Sequence, residues 1–251
     1  MAQVAPQTQG EVDIQLLKDE GGGLMIEEGI ATISFYKGDF KRASEALRAQ
    51  FALVVGSNPW LAGRLVKTKA GVTLRHPASP SAAEVDSLYT ATSAEDAGAF
   101  KLKPTETYTK ICTNMYASKK VIVGNGSATL GKNKPLTLLT LSESKAGEEF
   151  ALIFSMSHVI GDGRTYYEVY KMLQPGAAVR ALDTSRVLTF SEAMRDQCGR
   201  KELEWADSTG TACMYTCSMM PAFLGFGKKP KCVAFHVDPE RLGGGGGAGG
   251  G

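Results

Sequence analysis

The stretch that decides the fold is FALIFSMSHVIGDGRTYYEVYKML, residues 150–173. It begins as an apolar run, reaches His158, passes through Gly-Asp-Gly and continues with aromatic residues. After the glycines the apolar spacing is i, i+3, i+4 and i+7, which is typical of an amphipathic helix. The residues at this spacing are Tyr166, Val169, Tyr170 and Leu173. The stretch therefore predicts a strand, a tight turn and a helix that ends before Pro175, with a histidine where the strand ends.

The flanking segments extend this pattern of strands and helices. Residues 135–158 contain two apolar β-rich runs around a charged connection with Gly147, which predicts a hairpin. Residues 29–38 alternate apolar and polar side chains, as in a half-buried strand, and Asp39 can cap the helix that follows. Residues 71–76 predict another strand. Because strands and helices are interleaved without regular alternation, the predicted fold class is α/β of the α+β type, a mixed sheet with packed helices.

The remaining segments suggest the domain organisation. Residues 1–23 are polar and predict a loose leader, and residues 77–100 predict a surface excursion. Residues 189–206 predict a helix and residues 231–238 a strand. The end, residues 243–251, is almost all glycine and predicts a tail without a packed element. One domain is therefore expected over residues 24–242.

Composition narrows the function classes. The chain has 251 residues, a formal net charge of +2 and 43% hydrophobic residues, enough for a proper core. The charges are scattered, so a nucleic-acid partner is not expected. No apolar run reaches about 18 residues, so no transmembrane segment is expected. The N-terminus lacks the features of a secretory signal, and a cytoplasmic location is expected, although a presequence removed earlier would leave no trace.

Five cysteines lack paired metal-ligand spacing, so reduced thiols are expected and a metal site is not. The glycine-containing segment VIVGNGSATLG, residues 121–131, lacks the third glycine of a dinucleotide fingerprint and is interpreted as a turn. No tightly bound cofactor is expected.

His158 is one of three histidines and the one whose surroundings suggest chemistry. An imidazole titrates near neutrality and can remove a proton from a hydroxyl or amine. Gly161 and Gly163 would allow a tight turn with positive φ or a close approach of another segment. Asp162 could then steady the turn or pair with an arginine. His76 and His236 lack an acidic or cysteine partner at useful spacing and are interpreted as structural.

The sequence SMSHVIGDG resembles the H-x-x-x-D-G signature of the chloramphenicol acetyltransferase-like superfamily. This superfamily includes coenzyme A-dependent acyltransferases, plant acyltransferases of the BAHD type and peptide-synthetase condensation domains. The segment NPWLAGRLV, residues 58–66, is similar to a segment that follows the first helix in these proteins. The resemblance covers about residues 25–175, their N-terminal half, and AFHVDPERL, residues 234–242, looks like the strand that leads to their second half.

The resemblance implies roles for three residues. His158 would be the general base that helps an acceptor hydroxyl or amine attack an acyl thioester. Asp162 would be the structural aspartate that pairs with an arginine, for which Arg64 and Arg241 are candidates. Gly163 would leave room for the thioester arm of the donor. The implied co-substrate is acyl-coenzyme A or a carrier thioester, and the implied partners are a small-molecule acyl donor and acceptor.

Two departures from the superfamily pattern leave alternatives open. Ser157 stands where many members have a first histidine, which leaves the base intact. The D-F-G-W-G segment of plant-type members is missing, and no second half follows. The chain could be a fragment, a neighbouring subunit of a homo-oligomer or a second domain could complete the cleft, or the half-fold could serve as a non-catalytic binding or assembly subunit.

Overall fold

The computed structural model describes residues 10–93, 105–118, 120–145, 148–206, 208–211 and positions 213, 214, 217 and 220. The strands are β1 Glu11–Gln15, β2 Ile30–Lys37, β3 Arg64–Thr68, β4 Gly71–Pro77, β5 Tyr89–Thr92, β6 Thr137–Lys145 and β7 Glu149–Met156. The α-helices are α1 Phe40–Ser57, α2 Ala82–Ser87, α3 Tyr108–Ala117, α4 Gly126–Thr129, α5 Gly163–Met172, α6 Phe190–Cys198 and α7 Arg200–Ala206. Short 3₁₀ helices occupy Gly23–Ile26 and Pro59–Ala62.

The strands form two sheets. The smaller sheet has the order β1-β4-β3 and is antiparallel throughout. The larger sheet has the order β2-β7-β6-β5, in which β5 runs parallel to β6 while the other neighbours are antiparallel. A mixed sheet with packed helices was predicted from the sequence, and this α+β fold class is confirmed.

The predicted hairpin is present as β6 and β7. Thr137 lies opposite Met156 and Leu141 lies opposite Leu152, with an irregularity between Glu143 and Lys145 close to the turn. On its other edge β7 pairs with β2 along the whole length of both strands. As a central strand, β7 is buried from Phe150 to Met156, and it is the rigid support of the residues that follow it.

Helix α1 begins where the sequence predicts it. The Asp39 carboxylate accepts a hydrogen bond of 2.9 Å from the backbone N–H of Arg42, which satisfies one of the free donors of the first turn. Phe51, Val54 and Val55 are fully buried on the inner face of the helix. The helix ends at Ser57, and Pro59 follows in the first turn of the 3₁₀ helix.

The larger sheet is covered on both faces. One face carries the main core, to which α1, α5 and the smaller sheet contribute, and the other packs Ile111 and Met115 of α3 against Ile153. Strand β2 was expected to be half-buried, and its residues Ile30–Phe35 are partly buried. Its polar residues Thr32 and Ser34 hydrogen-bond with tyrosine hydroxyls of α5, which satisfies these hydroxyls where the helix covers the strand.

The structure corrects the predicted leader over residues 1–23. Residues 11–15 form strand β1, which pairs with β4, and Leu16 and Met25 are buried in the core. The Asp13 carboxylate accepts two hydrogen bonds, of 2.7 and 2.9 Å, from the buried guanidinium of Arg75. A five-residue edge strand with a mostly exposed face has too little hydrophobic periodicity to be recognised in the sequence.

Three smaller expectations are also corrected. The predicted surface excursion over residues 77–100 contains α2 and β5, with Val85 and Leu88 buried. The turn expected at Asn125-Gly126-Ser127 begins α4, which Asn125 caps. The single helix expected over residues 189–206 is two helices, because Gly199 between them has a φ of 95°, a left-handed conformation that interrupts helical hydrogen bonding.

The chain divides into two compact units, Met1–Leu188 and Thr189–Gly251. All buried hydrophobic residues of the described part lie between Leu16 and Leu173, within the first unit. The domain limit proposed at residue 24 does not hold, because β1 and Leu16 precede it, whereas the limit at residue 242 and the tail without a packed element stay predictions. The expected strand over residues 231–238 lies outside the described residues, as do His236, Arg241 and residues 243–251.

Candidate active site

His158 lies two residues beyond the end of β7. The backbone N–H of Ser157 donates a hydrogen bond of 2.8 Å to the Leu136 carbonyl, which extends the pairing with β6 by one residue. Ser157 is 1% exposed, whereas His158 is half-buried. The central strand therefore holds the backbone of His158 at the edge of the packed core, while Ser157 before it stays buried.

The turn after His158 is held by tight packing. Val159 and Ile160 are buried, and the Ile160 N–H donates to the Ser157 carbonyl at 3.2 Å. Helix α4 packs on this turn so closely that a Cβ at Gly126 would lie 2.7 Å from Cγ2 of Val159 and 2.6 Å from Sδ of Met25. Only glycine fits where α4 packs on this turn. The segment that was interpreted as a plain turn therefore contains a helix that holds the turn after His158 in place.

A second contact holds strand β7, which precedes the turn at His158. The backbone N–H of Val123 donates a hydrogen bond of 3.1 Å to the buried hydroxyl of Ser155. A Cβ at Gly29 would lie 2.5 Å from Cγ2 of Val123 and 3.2 Å from the carbonyl oxygen of Met156. Sequence reasoning missed this packing because Gly29 meets Val123 and Met156 only in the folded chain, far from its own place in the sequence.

For the two glycines around Asp162 the sequence left two explanations open, a positive φ and a close approach of another segment. Neither Gly161 nor Gly163 has a positive φ, so a left-handed turn is not the reason for them. A Cβ at Gly161 would lie 2.9 Å from both Cε of Met156 and Cγ2 of Thr165, which confirms the close approach at this position. A Cβ at Gly163 would meet nothing within 4 Å. Gly163 thus leaves open space at the first residue of α5.

Asp162 is the N-cap of α5. Its carboxylate accepts a hydrogen bond of 2.8 Å from the backbone N–H of Thr165. This bond, the Thr165 hydroxyl and the charge of Arg164 hold the pKa of Asp162 below its ordinary value. Arg64 is not its partner, because the Arg64 guanidinium forms an ion pair with Glu11 at the smaller sheet. In this structure the aspartate organises the turn through a helix cap.

The His158 ring has one nitrogen in an unusual state. Nδ1 is buried and has no hydrogen-bond partner among the described residues. A neutral imidazole carries its proton on one nitrogen, and the partner of the other nitrogen normally decides which. A base that acts through Nε2 needs the proton on Nδ1, so a group that accepts from Nδ1 would complete the arrangement. The described part of the chain does not supply that group.

Helix α5 is tied to β2 by hydroxyl groups. The Tyr166 hydroxyl donates to the Phe154 carbonyl at 2.7 Å, so it accepts from the Thr32 hydroxyl, 2.8 Å away. One turn later the hydroxyls of Ser34 and Tyr170 lie 2.8 Å apart. Burial raises the pKa of Tyr166 and keeps its hydroxyl neutral. These bonds fix the helix whose first turn carries Asp162 and Gly163.

Other candidate groups do not join this site. His76 is 7% exposed, and its Nδ1 lies 2.8 Å from the Pro77 carbonyl on β4. Cys112, Cys198, Cys213 and Cys217 are free thiols. Within the described ranges, no group of three or more His, Cys, Asp or Glu residues is placed to hold a metal. Over the same ranges, no helix is long and apolar enough to cross a bilayer.

Sequence comparisons find no relatives: no model of a known protein family matches the chain, and neither does any curated protein. Solved structures do match. The first condensation domain of the calcium-dependent antibiotic synthetase, in complex with substrate analogue 2a, has 18% identity and a TM-score of 0.51. That match covers 80% of this chain and 47% of that chain. The same condensation domain in complex with substrate analogue 3a has 17% identity and a TM-score of 0.50, with 80% and 49% covered.

These similarities establish the fold. The chain has the fold of condensation domains, which is the fold that the resemblance in the sequence predicts. The chain spans about half the length of the structures it matches.

Proposed function

We propose that this chain carries the general-base half of an acyltransferase that moves an acyl group from a thioester to a hydroxyl or amine acceptor. The observation that carries the proposal is the position of His158, half-buried at the end of a buried central strand and directly before the helix that Asp162 caps. Such a strand end holds a partly exposed side chain on a rigid backbone. The condensation-domain fold supports the same class of reaction.

In the proposed reaction, the imidazole of His158 takes the proton of the acceptor as its oxygen or nitrogen attacks the thioester carbonyl. A new carbon–oxygen or carbon–nitrogen bond forms and the carbon–sulfur bond breaks. The leaving thiolate takes up the proton from the imidazolium. General-base catalysis of this kind contributes about 10²- to 10⁴-fold to a rate.

Asp162 and Gly163 serve as positioning and space-giving residues in this proposal. The Asp162 cap fixes the first turn of α5, which sets the direction of the chain that leaves the His158 turn. The open space at Gly163 admits the pantetheine arm of the donor. Acyl-coenzyme A or an acylated carrier is the donor, and no tightly bound cofactor takes part.

A second half of the fold completes the cleft in this proposal, supplied by a further domain or by a neighbouring copy of the chain. The half-length match to the condensation domain supports it. The same observation supports the rival function, a non-catalytic binding or assembly subunit on the same half-fold. The Nδ1 of His158, which has no partner among the described residues, supports the acyltransferase, since a residue from a second half can supply its acceptor.

The test is the release of free coenzyme A from acetyl- and octanoyl-coenzyme A by the full chain, with a panel of aliphatic alcohols and amines as acceptors. Free coenzyme A is measured by chromatography, so that the cysteines of the chain do not contribute. The His158→Ala variant is expected to lose about 10²-fold or more of the wild-type rate. The matched control, His76→Gln in the smaller sheet, is expected to keep the wild-type rate per folded molecule.

Equal rates for wild type and His158→Ala would remove this imidazole from the mechanism. Binding of coenzyme A by the wild-type chain without turnover of either thioester would favour the rival, non-catalytic function for the chain by itself.

A further inference from the structure

A cavity of about 410 Å³ opens between α1 and α5 over the larger sheet. Its floor is formed by Leu141, Phe150 and Leu152, which are almost completely buried. Leu152 precedes His158 by six residues along β7, which corresponds to roughly 20 Å. The cavity therefore lies toward the opposite end of the strand from the candidate catalytic histidine, and His158 is not among its lining residues.

The walls of the cavity are held in place by their own contacts. Gln50 donates through its side-chain nitrogen to the carbonyl oxygens of Met172 and Ala177, at 2.7 and 3.2 Å. Tyr36 stacks on Phe150 with ring centroids 5.6 Å apart, and Tyr170 is fixed by its bond to Ser34. A cavity with pre-formed walls binds a ligand without the entropy cost of ordering them.

The lining indicates the chemistry of the ligand. None of the thirteen lining residues is Asp, Glu, Lys, Arg or His. The polar groups are the hydroxyls of Tyr36 and Tyr170 and the side-chain amides of Gln50 and Gln174. The Gln50 side-chain nitrogen already donates to two carbonyl oxygens, so its oxygen is the atom of this amide that remains able to accept a hydrogen bond from a ligand. An ionic ligand would lose its hydration here without gaining a counter-charge.

We propose that this cavity binds a neutral, largely apolar small molecule with a single hydrogen-bond donor, at a site separate from His158. Its volume falls within the usual range of small-molecule sites. The binding does not depend on the acyltransferase proposal, because no lining residue takes part in that chemistry.

The test uses two fluorescent probes that share one ring system. N-phenyl-1-naphthylamine is neutral, and 8-anilinonaphthalene-1-sulfonate carries an additional sulfonate. The full chain is expected to bind the neutral probe saturably with one site per chain, and to bind the sulfonate at least about tenfold more weakly. Equal affinities for the two probes would contradict a site without charges.

Two variants of α1 locate the site. Ala46 is exposed at the rim of the cavity, whereas Ala49 is exposed on the same helix and lines a different groove. Ala46→Phe is expected to weaken the neutral probe at least about tenfold, and Ala49→Phe is expected to leave its Kd unchanged. The same Kd for both variants would place the probe elsewhere and overturn the proposal.

His158→Ala is expected to bind the neutral probe as the wild type does. Intact probe binding without thioester turnover would contradict only the acyltransferase proposal. Absence of saturable probe binding in the wild type would contradict only the proposal for the cavity.

Discussion

At the scale of the residue, the carboxylate of Asp162 is the best-defined polar group near His158. It is exposed, yet its pKa is lowered because the backbone N–H and hydroxyl of Thr165 favour the ionised form. A lowered folded-state pKa means that the stabilising contribution is present above the unfolded-state pKa. It is lost as the pH falls through the lower, folded-state value.

Asp162→Ala is expected to lower the free energy of unfolding by about 1 kcal/mol at pH 7, because one orphan N–H of the first turn loses its acceptor. Asp162→Asn keeps an acceptor and is expected to lose less. The stability difference between wild type and Asp162→Asn is expected to stay constant above about pH 5 and to shrink below about pH 4. Urea unfolding as a function of pH measures both effects, and a difference that grows in acid would contradict the assignment.

The glycines offer a second residue-scale prediction. Gly126→Ala is expected to destabilise the protein by about 1–3 kcal/mol, because the new Cβ would overlap Met25 and Val159. Gly163→Ala places its Cβ in open space and is expected to leave the urea midpoint unchanged or slightly raised. If Gly163 gives room to the donor, the Gly163→Ala variant binds coenzyme A more weakly at unchanged stability, and unaltered binding would reject that role.

At the scale of the element, the position of α5 depends on the hydroxyls that join it to β2. Their partners lie more than a hundred residues away in the chain, so this helix is held by tertiary contacts and not by local sequence alone. The hydrogen bonds are partly buried, so the loss of one partner leaves the other with little compensation from water.

Tyr166→Phe is expected to cost about 1–3 kcal/mol of unfolding free energy, because Thr32 loses the acceptor of its hydroxyl proton. The matched control Tyr167→Phe, on the exposed side of the same helix, is expected to be neutral within about 0.5 kcal/mol. In a double-mutant cycle, adding Thr32→Val to Tyr166→Phe is expected to recover part of the loss. Additive losses would show that the two hydroxyls are not energetically coupled.

At the scale of the whole molecule, the first unit contains all the buried hydrophobic residues that the structure describes. The chain between α5 and the end of this unit is irregular but well tied. Asn58 donates through its side-chain nitrogen to the Arg180 carbonyl at 3.0 Å and accepts from the Leu182 N–H at 2.9 Å. Arg186 pairs with Glu20 at 3.1 Å, with both side chains largely buried.

Removal of residues 189–251 keeps all the buried hydrophobic residues that the structure describes, and the shortened chain is expected to unfold cooperatively in urea. Removal of residues 174–251 also takes away the partners of Asn58 and Glu20 and is expected to lower the unfolding free energy by about 2 kcal/mol or more. Urea unfolding followed by circular dichroism distinguishes the two truncations. Equal losses would show that the segment over residues 174–188 adds nothing to the unit.

How far the sequence predicts the fold depends on the range of the contacts involved. The β6–β7 hairpin, α1 with its Asp39 cap and α5 were predictable, because each is defined by periodicity and by a cap or turn within a few residues. Strand β1 and the packing of α4 on Val159 were not predictable, since they form only against distant segments. Of the two explanations that the sequence left open for Gly161, a positive φ and a close approach, the structure shows the close approach, by Met156 and Thr165.

The sequence by itself determined the order of strands and helices, the superfamily resemblance and the placement of His158 at a strand end, because these follow from local patterns of side chains. Only the tertiary structure decided that Asp162 is held by a helix cap and not by Arg64, that Nδ1 of His158 is buried without a described partner, and that an uncharged cavity lies between α1 and α5. Each of these depends on which distant groups meet in space, and that is set by the packing of the whole sheet and its helices.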